Sequence, residues 1–278
     1  MVRRASAAAG CFRVFPVFDE VADGVFRRRY ESMDLNIGVV VSDEGALVVD
    51  TRCTHAEADE LLRDVRSLTP LPVRWVVDTH WHWDHTFGNA RFHGAEVWGH
   101  ELCRTAMAER GESMKRAAAE WLPQFVDDIE SVVITPPAKV FSHSARIDLG
   151  SKTVSLSYHG PGHTDSDIAI SVEGHEVVFL GDLVEEGAPP YFDDSYPLEW
   201  PGTLRSALAG SNFLVVPGHG DIMSPAVARQ QLEELEAVAD LARACVEGGA
   251  PVADAAKRGP YPEDVMVSAL TRALGVAV

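Results

Sequence analysis

The chain is short of cysteine, of positive charge and of long apolar runs, and each shortage argues against a class of protein. Its thiols are Cys11, Cys53, Cys103 and Cys245 in 278 residues. They are widely scattered, form no CxxC pair and sit in no metal-like cluster, so buried free thiols in a reducing compartment are expected rather than a disulfide framework. No stretch approaches the roughly 20 apolar residues of a membrane-spanning helix. Arg3 and Arg4 precede small residues, but Arg13, Asp19 and Glu20 interrupt any apolar h-region, so no signal peptide is expected and a cytoplasmic location is. Lysine and arginine together number 24 against 42 aspartates and glutamates, a formal net charge of -18. So acidic a surface repels phosphate backbones and anionic membranes, which disfavours nucleic acid and lipid as partners and leaves a small-molecule substrate as the expectation.

What is present reads as alternating strands and helices. Asn36–Ser42 and Ala46–Asp50 flank the turn Asp43-Glu44-Gly45 and predict a hairpin. Val73–Val77 is an apolar strand leading straight into a histidine cluster. Lys152–Tyr158, Asp167–Val172, Glu176–Leu180 and Phe213–Val216 complete the strand series. Between them, Ala56–Leu68 places Leu61, Leu62, Val65 and Leu68 at helical spacing. Residues 101 to about 130 read as a helical insertion of one or two helices. Ser224 is a plausible N-cap for a helix over Pro225–Val246, with Leu232, Leu235, Val238, Leu241 and Cys245 along one stripe, and Pro262–Leu274 reads as a last helix. No linker or low-complexity segment interrupts residues 1–278, so a single α/β domain with C-terminal helices over 224–278 is expected.

The chain also echoes itself. Ile37 to Asp50 and Ile168 to Asp182 both run strand, turn, strand, aspartate. Later in each half a strand ends in a histidine loop, Val76-Val77-Asp78-Thr79-His80 and Val215-Val216-Pro217-Gly218-His219. Two similar halves meeting at converging strand ends would put a site between them.

The chemistry is concentrated in Thr79-His80-Trp81-His82-Trp83-Asp84-His85. On an extended strand end His80 and His82 point the same way, while Trp81 and Trp83 point oppositely into apolar packing. Asp84 and His85 fall where the chain turns and can aim at a second point nearby. A lone histidine is more often a satisfied core or surface residue; three with a carboxylate in so short a run need a partner, and imidazole with carboxylate suits zinc. Later loops add His163 in Gly160-Pro161-Gly162-His163-Thr164, Asp182 at the end of the apolar run Val177–Gly181, and His219 in Pro217-Gly218-His219-Gly220.

These motifs, in this order, resemble the metallo-β-lactamase superfamily over roughly residues 20 to 250. The resemblance implies an αββα four-layer sandwich with its site at one edge. It implies that His80, His82 and His163 hold a first metal, that Asp84, His85 and His219 hold a second, and that Asp182 bridges them. Two zinc ions are the expected cofactors, with iron or manganese as alternatives. Zinc β-lactamases carry cysteine or serine where this chain has Asp182, so the pattern is nearer to glyoxalase II-like and lactonase-like hydrolases. A glutathione-binding helical domain of the glyoxalase II kind is not matched by the tail from Ser224. The nucleic-acid-processing branch needs an extra domain and a basic surface that are absent.

The expected activity is therefore hydrolysis of a carbonyl-type bond (ester, thioester or lactone) by a metal-bridging hydroxide, its water acidified to a pKa of roughly 7. Asp84 is the candidate catalytic residue, orienting the nucleophile or carrying a proton to the leaving group. The alternative is a mononuclear iron oxidoreductase resembling the persulfide dioxygenases of the same fold, which use the first-metal set alone. A binding protein with an idle site would be expected to have lost a ligand, and none is missing. Asp50 reads equally as a partner for the histidine loops or as a structural turn. Asp167 is expected to support the His163 loop, and His159 is a minor candidate for a supporting role. His55, His93, His100, His143 and His175 read as surface or satisfied residues. The segment from Leu183 to Trp200 is expected to wall the pocket with Tyr191, Phe192, Tyr196 and Trp200, unless those aromatics pack down as a cover.

Overall fold

Runs of β-branched residues make the strands, and their alternation sorts side chains onto two faces. In a computed structural model, which describes residues 17–209 and 213–275, the expected hairpin forms from β3 (Leu35–Val41) and β4 (Ala46–Val49). Leu47 and Val49 point to one side, into a core shared with the second sheet; Ala46 and Val48 point to the other, onto a helix. The same period of two recurs in β5 (Val73–Val77), where Trp75 and Val77 face inward and Val76 outward.

The first sheet has seven strands in chain order: β1 (Asp19–Ala22), β2 (Val25–Tyr30), β3, β4, β5, β6 (Glu96–His100) and β7 (Lys139–Phe141). Its first three junctions are antiparallel and its last three parallel. The second sheet runs β12 (Leu214–Pro217), β11 (Val177–Gly181), β10 (Ile168–Val172), β9 (Thr153–Tyr158) and β8 (Ser144–Asp148), with only β11 and β12 parallel. The echo in the sequence is thus a repeat of topology. In each sheet an antiparallel hairpin, β3–β4 or β10–β11, is followed by a parallel strand, β5 or β12.

The two sheets pack face to face through Val40, Leu47, Val77, Leu156, Ile170 and Phe179. Gly38 makes the closest approach possible: a Cβ there would lie 2.5 Å from a ring carbon of Phe179, so only glycine admits that ring. Outside the first sheet lies α1 (His55–Leu68), capped by Thr54 and burying Ala58, Leu61 and Val65. Outside the second lie α5 (Trp200–Ala207), α6 (Pro225–Gly248), α7 (Val252–Ala256) and α8 (Glu263–Ala273), which bury Leu204, Leu235, Val238, Met266 and Leu270 against Leu180 and Val215. Four layers, αββα, result, as expected. Ser224 caps α6 through the Val227 amide. The short helix α2 (Trp83–Thr86) lies in the histidine segment itself. The 101–130 segment forms α3 (Glu101–Trp121) and α4 (Val126–Glu130), which bury Met107, Met114 and Ile129 with Trp81, Trp83 and Phe87 beneath the histidine segment.

Sequence patterning missed β1, β2, β6, β7, β8 and α5. In β2 three consecutive arginines hide the strand. Arg27 is nonetheless buried, its guanidinium reaching Asp19, the Asn36 side chain and the Gly220 carbonyl. Strands β7 and β8 are short and largely exposed, so no alternation stands out. Cys53, Cys103 and Cys245 are buried free thiols, and Cys11 lies outside the described residues, as does the first stretch read for a signal peptide. No described helix is long and apolar enough to cross a membrane.

Candidate metal centre

All seven residues singled out by the motifs converge at one edge of the sandwich, delivered by strand tips and the short helix α2. His80 and His82 follow β5, Asp84 and His85 lie in α2, and His163, Asp182 and His219 follow β9, β11 and β12 respectively. Their ligand-type atoms form two groups, each within 4.8 Å: His80, His82, His163 and Asp182, and beside it Asp84, His85 and His219. Asp182 touches both. Its carboxylate lies 3.4 Å from His163 Nε2 and 3.7 Å from His80 Nε2 on one side, and 3.3 Å from His85 Nε2 and 3.4 Å from His219 Nε2 on the other. Gly218 is what lets it in, since a Cβ there would collide with Asp182 Oδ1 at 1.8 Å. Asp84 Oδ2 is 3.3 Å from His219 Nε2.

The hydrogen bonds around the rings orient their lone pairs. His85 Nδ1 donates to Asp50 Oδ2 at 2.8 Å, leaving Nε2 toward the centre. His219 Nδ1 donates to the Met33 carbonyl at 2.7 Å, again freeing Nε2. Thr79 spends its hydroxyl proton on Asp50 Oδ2 at 2.9 Å, so at 3.0 Å it accepts from His80 Nδ1, and His80 Nε2 faces inward. His82 is reversed: its Nε2 lies 3.5 Å from Asp194 Oδ2 and its Nδ1 turns inward, 2.8 Å from His163 Nε2. Buried nitrogens that confront one another at such distances need a proton or a cation between them, and His80 Nε2 has no hydrogen-bond partner at all. The donor set therefore fits a metal ion of the borderline kind that imidazole and carboxylate hold.

Burial drives His80 well below the ordinary imidazole range and His163 down to about 3, so both stay neutral and ready to ligate. Burial would also lower His85 and His219, but the carboxylate of Asp182, aided by Asp84, overrides it and raises both well above 6.5. Burial conversely pushes Asp182 up, and the imidazoles of His85, His219, His80 and His163 overcome it and hold the carboxylate well below 3.8. Without a metal, protons on His85 and His219 neutralise the buried carboxylates.

Several supporting residues sit in backbone conformations that cost energy. Asp50 (φ 66°) and Met33 (φ 60°) are left-handed, and each presents a hydrogen-bond acceptor to a ligand-type histidine. Asp50 thus acts as a partner to the histidine loops as well as a turn. Asp167 supports the His163 loop as expected, accepting from Thr164 N at 2.7 Å and Thr164 Oγ1 at 2.9 Å. His55, His100 and His175 have ordinary backbone partners, and His93 and His143 are exposed. No described contact joins His159 to the cluster; it lines a groove with Glu199 and Arg205 instead.

Sequence reasoning missed Met33, because a carbonyl partner leaves no mark on residue type. It also missed Asp194, which no motif connects to His82. The 183–200 segment divides. Phe192 and Trp200 are buried, their rings 5.4 Å apart, and Phe192 packs also on Tyr261, so this part is a cover, with Trp200 also packed 5.6 Å from the His163 ring. Tyr191 is 38% exposed and its ring lies 6.5 Å from that of His163, so this part faces the site. Arg272 of α8 donates to the Asp194 and Ser195 carbonyls, and Ser268 donates to Asp193, which pins the segment from behind.

The sequence profile of the metallo-β-lactamase superfamily matches residues 34–243, and the chain belongs to that family. It is 25% identical over 197 residues to a metallo-β-lactamase type 2 of Bacillus cereus, covering 69% of each chain. It is 26% identical over 224 residues to the acyl-coenzyme A thioesterase MBLAC2 of Gallus gallus, covering 72% of this chain and 78% of that protein. Among solved structures, a metallo-β-lactamase from Pontibacter korlensis superposes with a TM-score of 0.61 at 20% identity, over 79% of this chain and 98% of its own, which shows the fold.

Proposed function

We propose that this protein is a two-metal hydrolase that cleaves a carbonyl-type bond, an ester, thioester or lactone. The observation that carries the reading is Asp182, whose one carboxylate is within 3.7 Å of four ligand-type imidazoles drawn from two adjoining groups. In this reading His80, His82 and His163 hold one cation and Asp84, His85 and His219 the other, with Asp182 shared. Zinc fits the donors, and iron or manganese are the other candidates. When bound, divalent cations at such a site polarise a carbonyl and draw the pKa of water down to roughly 7.

The chain's own residues supply the rest. The His82, Asp84 and His219 side chains are 11%, 9% and 15% exposed while His80 and His85 are 1% and 0%, so a substrate enters from the side of the first three. Asp84 is the carboxylate on that side; with Oδ2 turned toward His85 and His219, its other oxygen is the one to orient the attacking water or pass a proton to the departing alkoxide or thiolate. The net charge of -18, with the Asp194 carboxylate 3.5 Å from His82 at the centre, favours uncharged acyl substrates over phosphodiesters. The relative named as an acyl-coenzyme A thioesterase matches the thioester bond but not an uncharged leaving group, because coenzyme A carries phosphates; the enzyme named a β-lactamase shares the fold while Asp182 points toward ester-type chemistry.

The test is metal counting on freshly purified protein, followed by an ester, thioester and lactone panel on the same sample. About two zinc ions per chain with turnover of one bond class is the expected result. A single iron that stays single under metal excess would overturn the reading and favour an oxygenase.

A further inference from the structure

Two aromatic rings from remote parts of the chain meet beside the centre, and neither has a role in the proposed hydrolysis. Trp121 is the last residue of α3 and is 58% exposed. Its ring stands edge-on to that of Tyr191 at 6.0 Å, and Tyr191 in turn stands 6.5 Å from His163. The rings therefore form a continuous apolar step leading from a candidate ligand out to solvent. A single exposed tryptophan is ordinary, but joined to Tyr191 beside a candidate ligand it extends one apolar surface toward the centre.

The Tyr191 ring is tethered, and the backbone that carries Trp121 is held. The Tyr191 hydroxyl donates to Asp193 Oδ2 at 2.9 Å, and its amide donates to Glu185 Oε1 at 3.3 Å. Asp193 is itself held by Ser268 of α8. Trp121 ends a helix whose cap amide, Leu122 N, still donates to Ala118 O at 2.8 Å, and Pro123 follows. Large aromatic surface with few rotatable bonds binds apolar groups with modest ordering cost. The neighbouring Phe192 is turned the other way, packed on Trp200 and Tyr261, so of these two adjacent rings Tyr191 is the one that meets Trp121.

We propose that Tyr191 and Trp121 form a subsite for an extended apolar acyl group, so that the substrate is the ester or thioester of a medium-chain acid rather than of acetate. The carbonyl sits at the metal centre and the chain runs over Tyr191 to lie on Trp121. This inference rests on the hydrolase reading for the position of the carbonyl, but the subsite itself needs only a carboxylate head at the centre.

Equilibrium binding of straight-chain carboxylates from acetate to decanoate, measured calorimetrically on the full zinc-loaded chain, tests it without turnover. Affinity should climb with chain length, by up to about fourfold for each methylene that is buried. Trp121→Ala and Tyr191→Ala should collapse the ratio of decanoate to acetate affinity at least tenfold, with metal content and melting temperature held. Trp121→Phe should restore most of the ratio. Decanoate binding no tighter than acetate in the parent protein, or an undiminished ratio in Trp121→Ala, overturns the subsite. A steep chain-length dependence in a protein that hydrolyses no acyl ester or thioester would uphold the subsite and sink the hydrolase reading instead.

Discussion

Asp50 gathers three donors on one buried carboxylate, and removing it should loosen both the fold and the metal centre. Thr79 N donates to Oδ1 at 2.8 Å, while Thr79 Oγ1 and His85 Nδ1 converge on Oδ2 at 2.9 and 2.8 Å. In Asp50→Ala each donor loses its acceptor where water has little access, at about 1–3 kcal/mol apiece. The Thr79 hydroxyl can turn elsewhere and some water will enter, so the sum is discounted to about 3–5 kcal/mol. Alanine at a φ of 66° adds about 1 kcal/mol that aspartate and asparagine largely escape. Against a total stability of about 5–15 kcal/mol, Asp50→Ala is at the edge of folding, so Asp50→Asn is the companion variant. The amide keeps the shape and the left-handed backbone, and should cost about 1–2 kcal/mol. With His85 no longer held, and Thr79 no longer fixing the His80 ring, metal affinity should drop about 10–100-fold in Asp50→Asn. Urea unfolding of metal-stripped protein and chelator competition on loaded protein measure the two effects separately. If Asp50→Ala unfolded within about 1 kcal/mol of the parent, or Asp50→Asn kept full metal affinity, the role given to Asp50 would be wrong.

Three further outcomes are expected. Asp182→Ala should weaken both metals, because its carboxylate faces both groups, whereas Asp84→Asn should cut turnover by a factor of about 100 or more with the first metal retained. Metal analysis beside kinetics separates them, and full activity in either variant refutes that residue's assignment. The folded-state pKa values of His85 and His219 are raised above 6.5, so in metal-stripped protein their stabilisation is complete below that value and is lost as pH rises through the raised ones. Metal binding needs both rings neutral, so the melting-temperature gain on adding zinc should grow from pH 6.5 upward; a gain that shrinks with pH contradicts this. Asp194→Asn should weaken the orientation of His82, and Arg272→Ala should do so indirectly by freeing the Asp194 backbone. A loss of metal affinity of about tenfold or more in Asp194→Asn, larger than in Arg272→Ala, is the expected order; unchanged affinity in both removes Asp194 from the centre.

The ligand-type residues could be read from the chain because their chemistry is local. His80, His82, Asp84 and His85 lie in one short run, and glycine turns or an apolar strand mark His163, Asp182 and His219. The hairpins β3–β4 and β10–β11 were equally legible as short apolar runs flanking turn residues, buried on both faces, and the helices α1 and α6 by a period of 3.6 that records which face will be buried. Tertiary structure decided the rest. Strands β1, β2, β7 and β8 are too short, too charged or too exposed to carry a period, and they exist because a neighbouring strand satisfies their backbone. The Met33 carbonyl, the Asp194 carboxylate and the meeting of Trp121 with Tyr191 are contacts between segments far apart in the chain. Tyr191 and Phe192 are adjacent and chemically alike, yet one faces the site and the other the core. Alternation along the backbone separates such neighbours, and only the packing of α5 and α8 behind the loop settles which of the two turns outward.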